Sequence, residues 1–355
     1  MFVIRVVQKM KRFFNLCIAI AIVLSAISCD SFRTLNAKKS AQGTPYEVLV
    51  VCNAQEWESP LGEALRTLFA TPVPAINQNE PMFSVVRITA NDFKGLLPSY
   101  RNILKVVCSP EVQQCAILAR YDVEAAPQIV LTFQGPSQKA MIEYLNENGE
   151  SLLQALEIAE RNRTIEFAKR HGVKALEEIL NKQFGITMHV PDGYLLRVAR
   201  EDFVWASHEY PAASQGFFIY THPFNGKKSI SVEALVEARN NCAKQIPGPS
   251  DGSYMTTVSK IPNIEDSGYT KFVPEYRILR INGTDWVELR GLWEVENDFM
   301  GGPFVSYTTL DKRSGKLLTL DCYVYSPKYG KRNYIRALEH LVYCIDFPKG
   351  EGAQQ

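Results

Sequence analysis

The chain has 355 residues, of which 39 are Lys or Arg, 38 are Asp or Glu, and 46% are hydrophobic. This length allows two domains, each with a core of its own. The near-zero net charge excludes the strongly basic surface that is typical of nucleic-acid-binding proteins.

The first 28 residues have the layout of a secretory signal. Basic residues precede an apolar run over 13–24, and the small residues Ala26 and Ser28 lie just before Cys29. The run is shorter than the roughly 20 residues that cross a bilayer. This ending resembles the lipobox of bacterial lipoproteins. Residues 1–28 are therefore predicted to be a lipoprotein signal peptide, and Cys29 the acylated first residue of the mature chain.

Residues 29–44 are predominantly polar and have no apolar periodicity, which predicts a flexible tether. Removal of the signal takes away four basic residues and leaves 35 Lys and Arg against 38 Asp and Glu. The lipid on Cys29 is then the expected attachment to the inner or outer membrane of the cell envelope, with the body of the protein facing the periplasm.

An α/β domain is predicted over 45–136. Apolar, β-branched runs at 46–51, 83–88, 103–108 and 129–133 indicate buried strands, and leucines at helical spacing over 61–69 indicate a helix. Strands that alternate with a helix are typical of this class of fold.

The pattern then changes to a helical period and keeps it over 137–184. Gly149 and Gly172 interrupt the period, so we expect two or three consecutive helices here. This segment is predicted to connect the two domains.

The second domain is predicted over 185–348. It opens near a Pro191-Asp192-Gly193 turn, and strand-like runs joined by turns lead to an amphipathic helix over 331–345. Such runs imply an antiparallel sheet covered by helices. The whole chain is therefore expected to have an α+β fold, followed by a disordered tail over 349–355.

Two resemblances extend this reading. The order of strands and the closing helix in the second half are similar in layout to the Mog1/PsbP-like sandwich. The segments TPVPAINQNEPMF (71–83), RGLWEVENDFMGGPFVSY (290–307) and YVYSPKYGKRNYIRALEHLVY (323–343) resemble landmarks of a lipoprotein family of unknown function from the Bacteroidetes phylum. That resemblance implies lipidation and an envelope location, and it transfers no catalytic residue.

Histidines supply one candidate site. His208, Glu209 and His222 lie on two neighbouring predicted strands and are candidates to face each other. The sequence contains no H-x-x-x-H and no C-x-x-C, so a zinc site would require residues from distant segments. Isolated polar residues on a half-exposed sheet explain the same pattern.

Three acidic residues supply the other candidate site. Glu294, Glu296 and Asp298 alternate along a predicted strand, just before the flexible segment 301–303. Paired carboxylates can act as general acid and base, and oxygen ligands can bind a cation. A solvated strand face that ends in a turn is the alternative interpretation.

Two further motifs lack the sequence context that their function requires. Residues 248–252 match G-x-S-x-G, but a helix precedes the motif and a strand follows it, the reverse of a hydrolase nucleophile elbow. Residues 226–229 resemble the end of a phosphate loop, but position 221 is Thr where the loop requires Gly. A surface loop and a capped helix start explain them.

Six cysteines remain after Cys17 is removed with the signal and Cys29 is acylated. An exported chain permits disulfides, and Cys108 and Cys115 are the first candidates because they flank one loop. The alternative is that these cysteines are small buried hydrophobic residues. The six are Cys52, Cys108, Cys115, Cys242, Cys322 and Cys344.

The sequence contains no complete catalytic, metal or nucleotide motif, so no metal or cofactor is expected. It favours a non-catalytic binding or assembly module that is anchored through Cys29 and has an unidentified envelope protein or polymer as its partner. An envelope hydrolase with its site in the C-terminal domain is the alternative. A deep pocket that contains His208, His222 or Glu294 would favour the alternative.

Overall fold

The structure, a computed structural model, describes residues 38–263 and 267–348. The predicted signal peptide, Cys29 and the tail at 349–355 lie outside the described residues, as does most of the tether.

Apolar runs build the first sheet, in which β2 (Glu47–Val51) is an interior strand and Val48, Leu49 and Val50 are fully buried. The strand order is β3-β2-β4-β7-β5, parallel except for the edge strand β5. Helix α2 begins where the Ser59 hydroxyl accepts a hydrogen bond from the backbone of Leu61. The elements, in chain order, are β1 (Lys39–Ser40), β2 (Glu47–Val51), α1 (Ala54–Trp57), α2 (Pro60–Phe69), β3 (Ser84–Ile88), β4 (Asn102–Cys108), β5 (Ala116–Tyr121), β6 (Ala125–Ala126) and β7 (Ile129–Gly135).

The last residues of the predicted flexible tether belong to this domain. Strand β1 pairs in parallel with β6, and the backbone amide of Gln42 donates to the carbonyl of Ser99 at 2.8 Å. In turn, the carbonyl of Gln42 accepts from the amide of Arg101 at 2.7 Å. The prediction of a tether up to residue 44 is therefore wrong for residues 39–42, whose backbone groups find partners in the fold.

The predicted connector consists of two helices, α3 (Gln138–His171) and α4 (Lys174–Phe184), which Gly172 separates. Gly149 does not interrupt α3: it is buried, and a Cβ atom there would lie 3.1 Å from the Leu68 side chain. The first helix contributes mainly to the first core, although its Ala168 reaches the second, and the second helix belongs to the second core. Leu152 and Leu156 of α3 pack with the first sheet, while Leu176 and Leu180 of α4 pack with the second.

The second sheet is antiparallel, with eight strands among the described residues. Its order is β12-β16-β17-β18-β11-β10-β9, and β15 pairs with β16 beside β12. The elements after α4 are β8 (Thr187–Met188), β9 (Leu195–Arg200), β10 (Phe203–Tyr210), β11 (Ala213–Pro223), α5 (Val232–Ala243), β12 (Tyr254–Thr257), β13 (Lys260–Pro262), β14 (Tyr269–Lys271), β15 (Glu275–Ile281), β16 (Thr284–Glu296), β17 (Gly301–Asp311), β18 (Lys316–Tyr325), α6 (Arg332–Glu339) and β19 (Ile345–Asp346).

Helices cover both faces of this sheet. Helix α6 and the 3-10 turn His340–Cys344 pack on one face through Ile335, Leu338 and Leu341, and α5 packs on the other through Leu235. The predicted α+β class, with an α/β first part and a helix-covered antiparallel sheet in the second, is confirmed.

Candidate functional site

A row of alternating arginine and glutamate side chains lies where the two domains meet. Arg277 on β15 faces Glu288 on β16, and Arg290 donates to the same carboxylate through Nε and Nη2, at 2.7 and 2.9 Å. Arg290 also donates to Glu339 of α6. Arg336 pairs with Glu339 at 3.1 Å and with Glu157 of α3. We call this set the ion-pair ladder: Arg277, Glu288, Arg290, Glu339, Arg336 and Glu157.

The ladder is mostly buried, and its three positive charges balance its three negative ones. Burial by itself would raise the pKa of Glu288, but hydrogen bonds from Arg290 and Arg277 hold that pKa below its usual value. Burial would also raise the pKa of Glu339, yet the charges of Arg290 and Arg336 keep that pKa low. Both carboxylates are therefore ionised at neutral pH, and each depends on its arginine partners.

The ladder lines a cleft of about 890 Å³. A volume of this size lies within the roughly 300 to 1,000 Å³ that is typical of ligand sites. Exposed polar residues of α3 form another part of its border, namely Asn146, Glu147, Glu150 and Gln154. Apolar residues from α2, the loop that follows it and α3 form the rest: Leu68, Pro72, Pro74, Met82, Leu145 and Leu153. The cleft thus combines a charge-paired surface with an apolar one, and both domains contribute to it.

Hydrogen bonds between the domains fix the cleft. The carboxylate of Glu80 accepts from the backbone amides of Lys331 and Arg332, at 2.6 and 3.1 Å, at the start of α6. Arg332 in turn donates to the carbonyl of Pro81 and the hydroxyl of Ser84, both at 3.0 Å. The loop that leads to β3 is therefore joined to α6, and the cleft is preformed.

His340 lies at the inner side of the cleft and is buried. Its Nε2 lies 3.2 Å from the hydroxyl of Tyr46, and its Nδ1 lies 2.9 Å from the hydroxyl of Thr164. Burial, together with the charges of Arg336 and Arg161, holds the pKa of His340 well below its usual value. The imidazole is therefore neutral at pH 7, and both of its nitrogens already have partners.

The predicted histidine pair is separated. His208 is aligned with Gln215 in the β10–β11 register, and His222 lies seven residues further along β11. That spacing is about 24 Å along a strand, and an odd interval puts the two rings on opposite faces. The prediction that they face each other is wrong because the register sets their positions.

Each of these residues has local neighbours instead. His208 stacks on Tyr210, with ring centroids 4.2 Å apart, and His222 stacks on Tyr220. Burial lowers the pKa of His222. Glu209 accepts from Ser207 and Ser214, at 2.7 and 3.1 Å.

The three predicted acids are on or just after β16, outside the cleft. Glu294 and Glu296 are both exposed, and partial burial together with the charge of Glu296 raises the pKa of Glu294. Asp298 accepts hydrogen bonds from the hydroxyl of Ser250, at 2.5 Å, and from the amide of Phe299. Ser250 thus helps to hold two loops together. Residues 301–303, predicted to be flexible, begin β17, where a Cβ atom on Gly302 would meet the carbonyl oxygen of Val324.

Neither a metal cluster nor a membrane span emerges from residues 38–263 and 267–348. No group of three or more His, Cys, Asp or Glu side chains there is placed to hold a metal ion. No helix there has the length and hydropathy to cross a bilayer.

The six cysteines that the structure describes are free thiols. Cys108 is aligned with Gly135 of β7, and Cys115 precedes Ala116, which is aligned with Gln134 on the other side of β7. Two strand spacings amount to about 9.5 Å, more than the roughly 7 Å between Cα atoms that a disulfide tolerates. A Cys108–Cys115 bridge would require the backbone to move.

Neither the ladder nor the cleft was predicted from the sequence. The traces of the ladder in the sequence are the alternation of Glu288 and Arg290 on one strand and the spacing of Arg336 and Glu339 on one helix. Neither trace shows that the strand and the helix meet at an interface with α3.

Two family models match the chain. Residues 41–169 match "Domain of unknown function (DUF8532)", and residues 173–344 match "Domain of unknown function (DUF4837)". The first model ends in the last turn of α3, the second begins just before α4, and each contains part of the ladder. Both descriptions fit the predicted resemblance to a family of unknown function, and neither supplies an activity.

Solved structures of Mog1 match the chain weakly. The match to a mutant of the protein Mog1 has 11% identity and a TM-score of 0.27. It covers 46% of this chain and 90% of the Mog1 chain. The match to the Saccharomyces cerevisiae Ran-binding protein Mog1p has 12% identity and a TM-score of 0.28. It covers 46% of this chain and 89% of the Mog1p chain. Among curated sequences, none matches this chain at a significant level.

Proposed function

We propose that this protein is a lipid-anchored, non-catalytic binding module of the cell envelope, which holds a segment of a partner protein in the cleft between its domains. The observation that carries the proposal is the cleft itself, in which the charge-paired ladder adjoins an apolar surface. An extended polypeptide offers apolar and charged side chains on alternate faces, so it suits both surfaces.

The state of the ionisable groups supports binding over catalysis. An acid–base pair requires two groups whose environments push their pKa values apart. In the cleft, the pKa values of Glu288 and Glu339 are both lowered, and His340 is neutral with both nitrogens engaged. The residues that would have favoured a hydrolase, His208, His222 and Glu294, do not line the cleft.

The anchor is supported by the sequence around Cys29 and by the polar segment that follows it. Labelling of growing cells with a radioactive fatty acid tests it directly. We expect label on the wild-type chain and none on the Cys29→Ala variant, while equal labelling of the two would contradict the anchor.

Photo-crosslinking from the cleft tests the binding role. A photoreactive amino acid at Glu150, on the border of the cleft, should form an adduct with a partner in envelope fractions. The same amino acid at Glu237, exposed on α5 and away from the cleft, is the matched control. The Asn146→Trp substitution, which places a bulky side chain in the cleft beside Glu150, should abolish the adduct formed at Glu150. Adducts of equal yield at both positions, or an adduct that persists in Asn146→Trp, would contradict the proposal.

A further inference from the structure

A second cavity, of about 360 Å³, lies at the C-terminal end of α3 and carries positive charge. It is lined by Arg101, Arg163 and Arg170, together with His171 and Phe167. Glu160 is the carboxylate paired with two of these arginines, Arg101 at 2.7 Å and Arg163 at 2.9 Å. The charge of Asp122 also acts on Arg163, so two carboxylates face three guanidinium groups, which leaves one positive charge in balance for an anionic ligand.

Part of this charge has no partner in the fold. Each nitrogen of the Arg163 guanidinium already has a partner, since Nε donates to the carbonyl of Pro127, Nη1 to Asn102 and Nη2 to the carbonyl of Arg101. In contrast, Nε of Arg101 is buried and has no hydrogen-bond partner within the described part of the chain. Within the same described residues, Arg170 donates through Nε to the carbonyl of Glu166 at 3.2 Å, and its two Nη groups have no hydrogen bond. The Nη groups of Arg170 and Nη1 of Arg101 therefore remain for a ligand.

An apolar group stands beside these donors. Phe167 is 49% exposed, and its ring lies 5.0 Å from the ring of His171. Guanidinium groups bind phosphate oxygens with matched, charge-assisted hydrogen bonds, and an exposed aromatic ring favours contact with an apolar neighbour. A ligand with a phosphate at one end and hydrocarbon at the other satisfies both features.

The start of the folded chain indicates where such a ligand comes from. Ala41 forms part of the cavity wall, and the exposed Lys38 and Lys39 precede it. Cys29 lies only 10 positions before Lys39. Even a fully extended chain of that length spans no more than about 35 Å, so an anchor at Cys29 keeps this cavity close to the headgroups.

We infer that this cavity binds the phosphate of an anionic phospholipid headgroup, with Arg101 and Arg170 as phosphate ligands and Phe167 against the lipid backbone. The inference rests on the proposed anchor for the source of the ligand. It assigns the protein a second, specific membrane contact that orients the folded domains on the bilayer.

Vesicle flotation of the mature chain with Cys29→Ser, which carries no acyl group, tests the inference without depending on the anchor. We expect this chain to float with vesicles of phosphatidylglycerol and phosphatidylcholine in equal parts, and not with phosphatidylcholine alone. Arg170→Gln should weaken the binding about tenfold. Lys169→Gln is the matched control, because it removes the same charge one residue earlier, on a side chain that lines a different cavity.

Each alternative has its own outcome. Unchanged binding of Arg170→Gln, or an equal loss in Lys169→Gln, would overturn the inference, since the second result indicates diffuse attraction to a charged surface. Titration calorimetry with inorganic phosphate and with short-chain phosphatidylglycerol completes the test. We expect the lipid to bind at least tenfold more tightly, and equal affinities would show a site for free anions. Fatty-acid labelling of Cys29 reports separately on the anchor.

Discussion

The hydroxyl of Tyr46, the residue just before β2, lies 3.2 Å from Nε2 of His340, a residue 294 positions later in the chain. This contact joins the start of β2 in one core to the last helical turn of the other. Because His340 is buried and surrounded by Arg336 and Arg161, protonation of its ring is unfavourable in the folded state. The junction between the domains therefore depends on a neutral histidine.

We predict that this histidine destabilises the fold in mild acid. The pKa of His340 is depressed, so the unfolded chain takes up a proton below about pH 6.5 while the folded chain does not, and stability falls as the pH falls. The contribution is about 1.5 kcal/mol between pH 6.5 and 5. Urea unfolding at both pH values should show a smaller loss in His340→Gln than in the wild type, and an equal loss in the two would contradict the assignment.

The ladder predicts a second loss of stability, at lower pH. The pKa of Glu288 is lowered in the folded state, so its contribution is present above about pH 4.5 and is lost as the pH falls through the folded-state value. Glu288→Gln should cost about 3 kcal/mol at pH 7, because it leaves buried arginine charge without its partner. The variant should then lose less than the wild type between pH 4.5 and 3. Glu296→Gln, exposed on the same strand, is the control and should change stability by less than about 0.5 kcal/mol.

Glu80 should link the stability of the fold to the integrity of the cleft. Glu80→Ala removes an acceptor from two backbone amides at the start of α6, and we expect a loss of about 1 to 2 kcal/mol in the free energy of unfolding. The crosslink from Glu150 should weaken in the same variant. Glu111→Ala, at an exposed loop position, is the control. A crosslink of undiminished yield in Glu80→Ala would show that the contact does not hold the cleft.

Gly302 should tolerate no side chain. A Cβ atom there would lie 2.0 Å from the carbonyl oxygen of Val324, a backbone atom in the middle of the sheet. Gly302→Ala should therefore cost more than about 3 kcal/mol. In Gly149→Ala the nearest atoms to the new methyl group belong to the flexible Leu68 side chain, the closest at 3.1 Å, and the helical preference of alanine offsets that contact. Thermal unfolding of both variants distinguishes them, and similar midpoints would contradict the prediction.

The buried strands could be predicted because a strand that is covered on both faces has an apolar sequence. The β2 run is apolar at consecutive positions, which is what a parallel strand covered on both faces requires. Strand β5 was missed for the opposite reason. It is an antiparallel edge strand whose last four residues are exposed, so its sequence, AILARY, shows no buried run.

Close approaches and interfaces were not predictable from local pattern. Gly149 and Gly302 looked like breaks, but each allows another part of the chain to come near, which only the tertiary structure reveals. The ladder presents the same difficulty, since Arg290 and Glu339 are 49 positions apart and meet only when α6 packs on the second sheet, and Arg336 meets Glu157 only when the two domains have packed. The prediction that His208 and His222 face each other was wrong because strand register, not sequence proximity, determines which residues meet.

The boundary between the two family models, at 169–173, divides the cleft. Leu153 and Glu157 lie before that boundary, and Arg290 and Glu339 lie after it. A chain with only one of the two domains would carry half a cleft and would expose part of the ladder to water. The cleft therefore requires both domains. Because one polypeptide contains them, the two domains are made in equal number and reach the same compartment together.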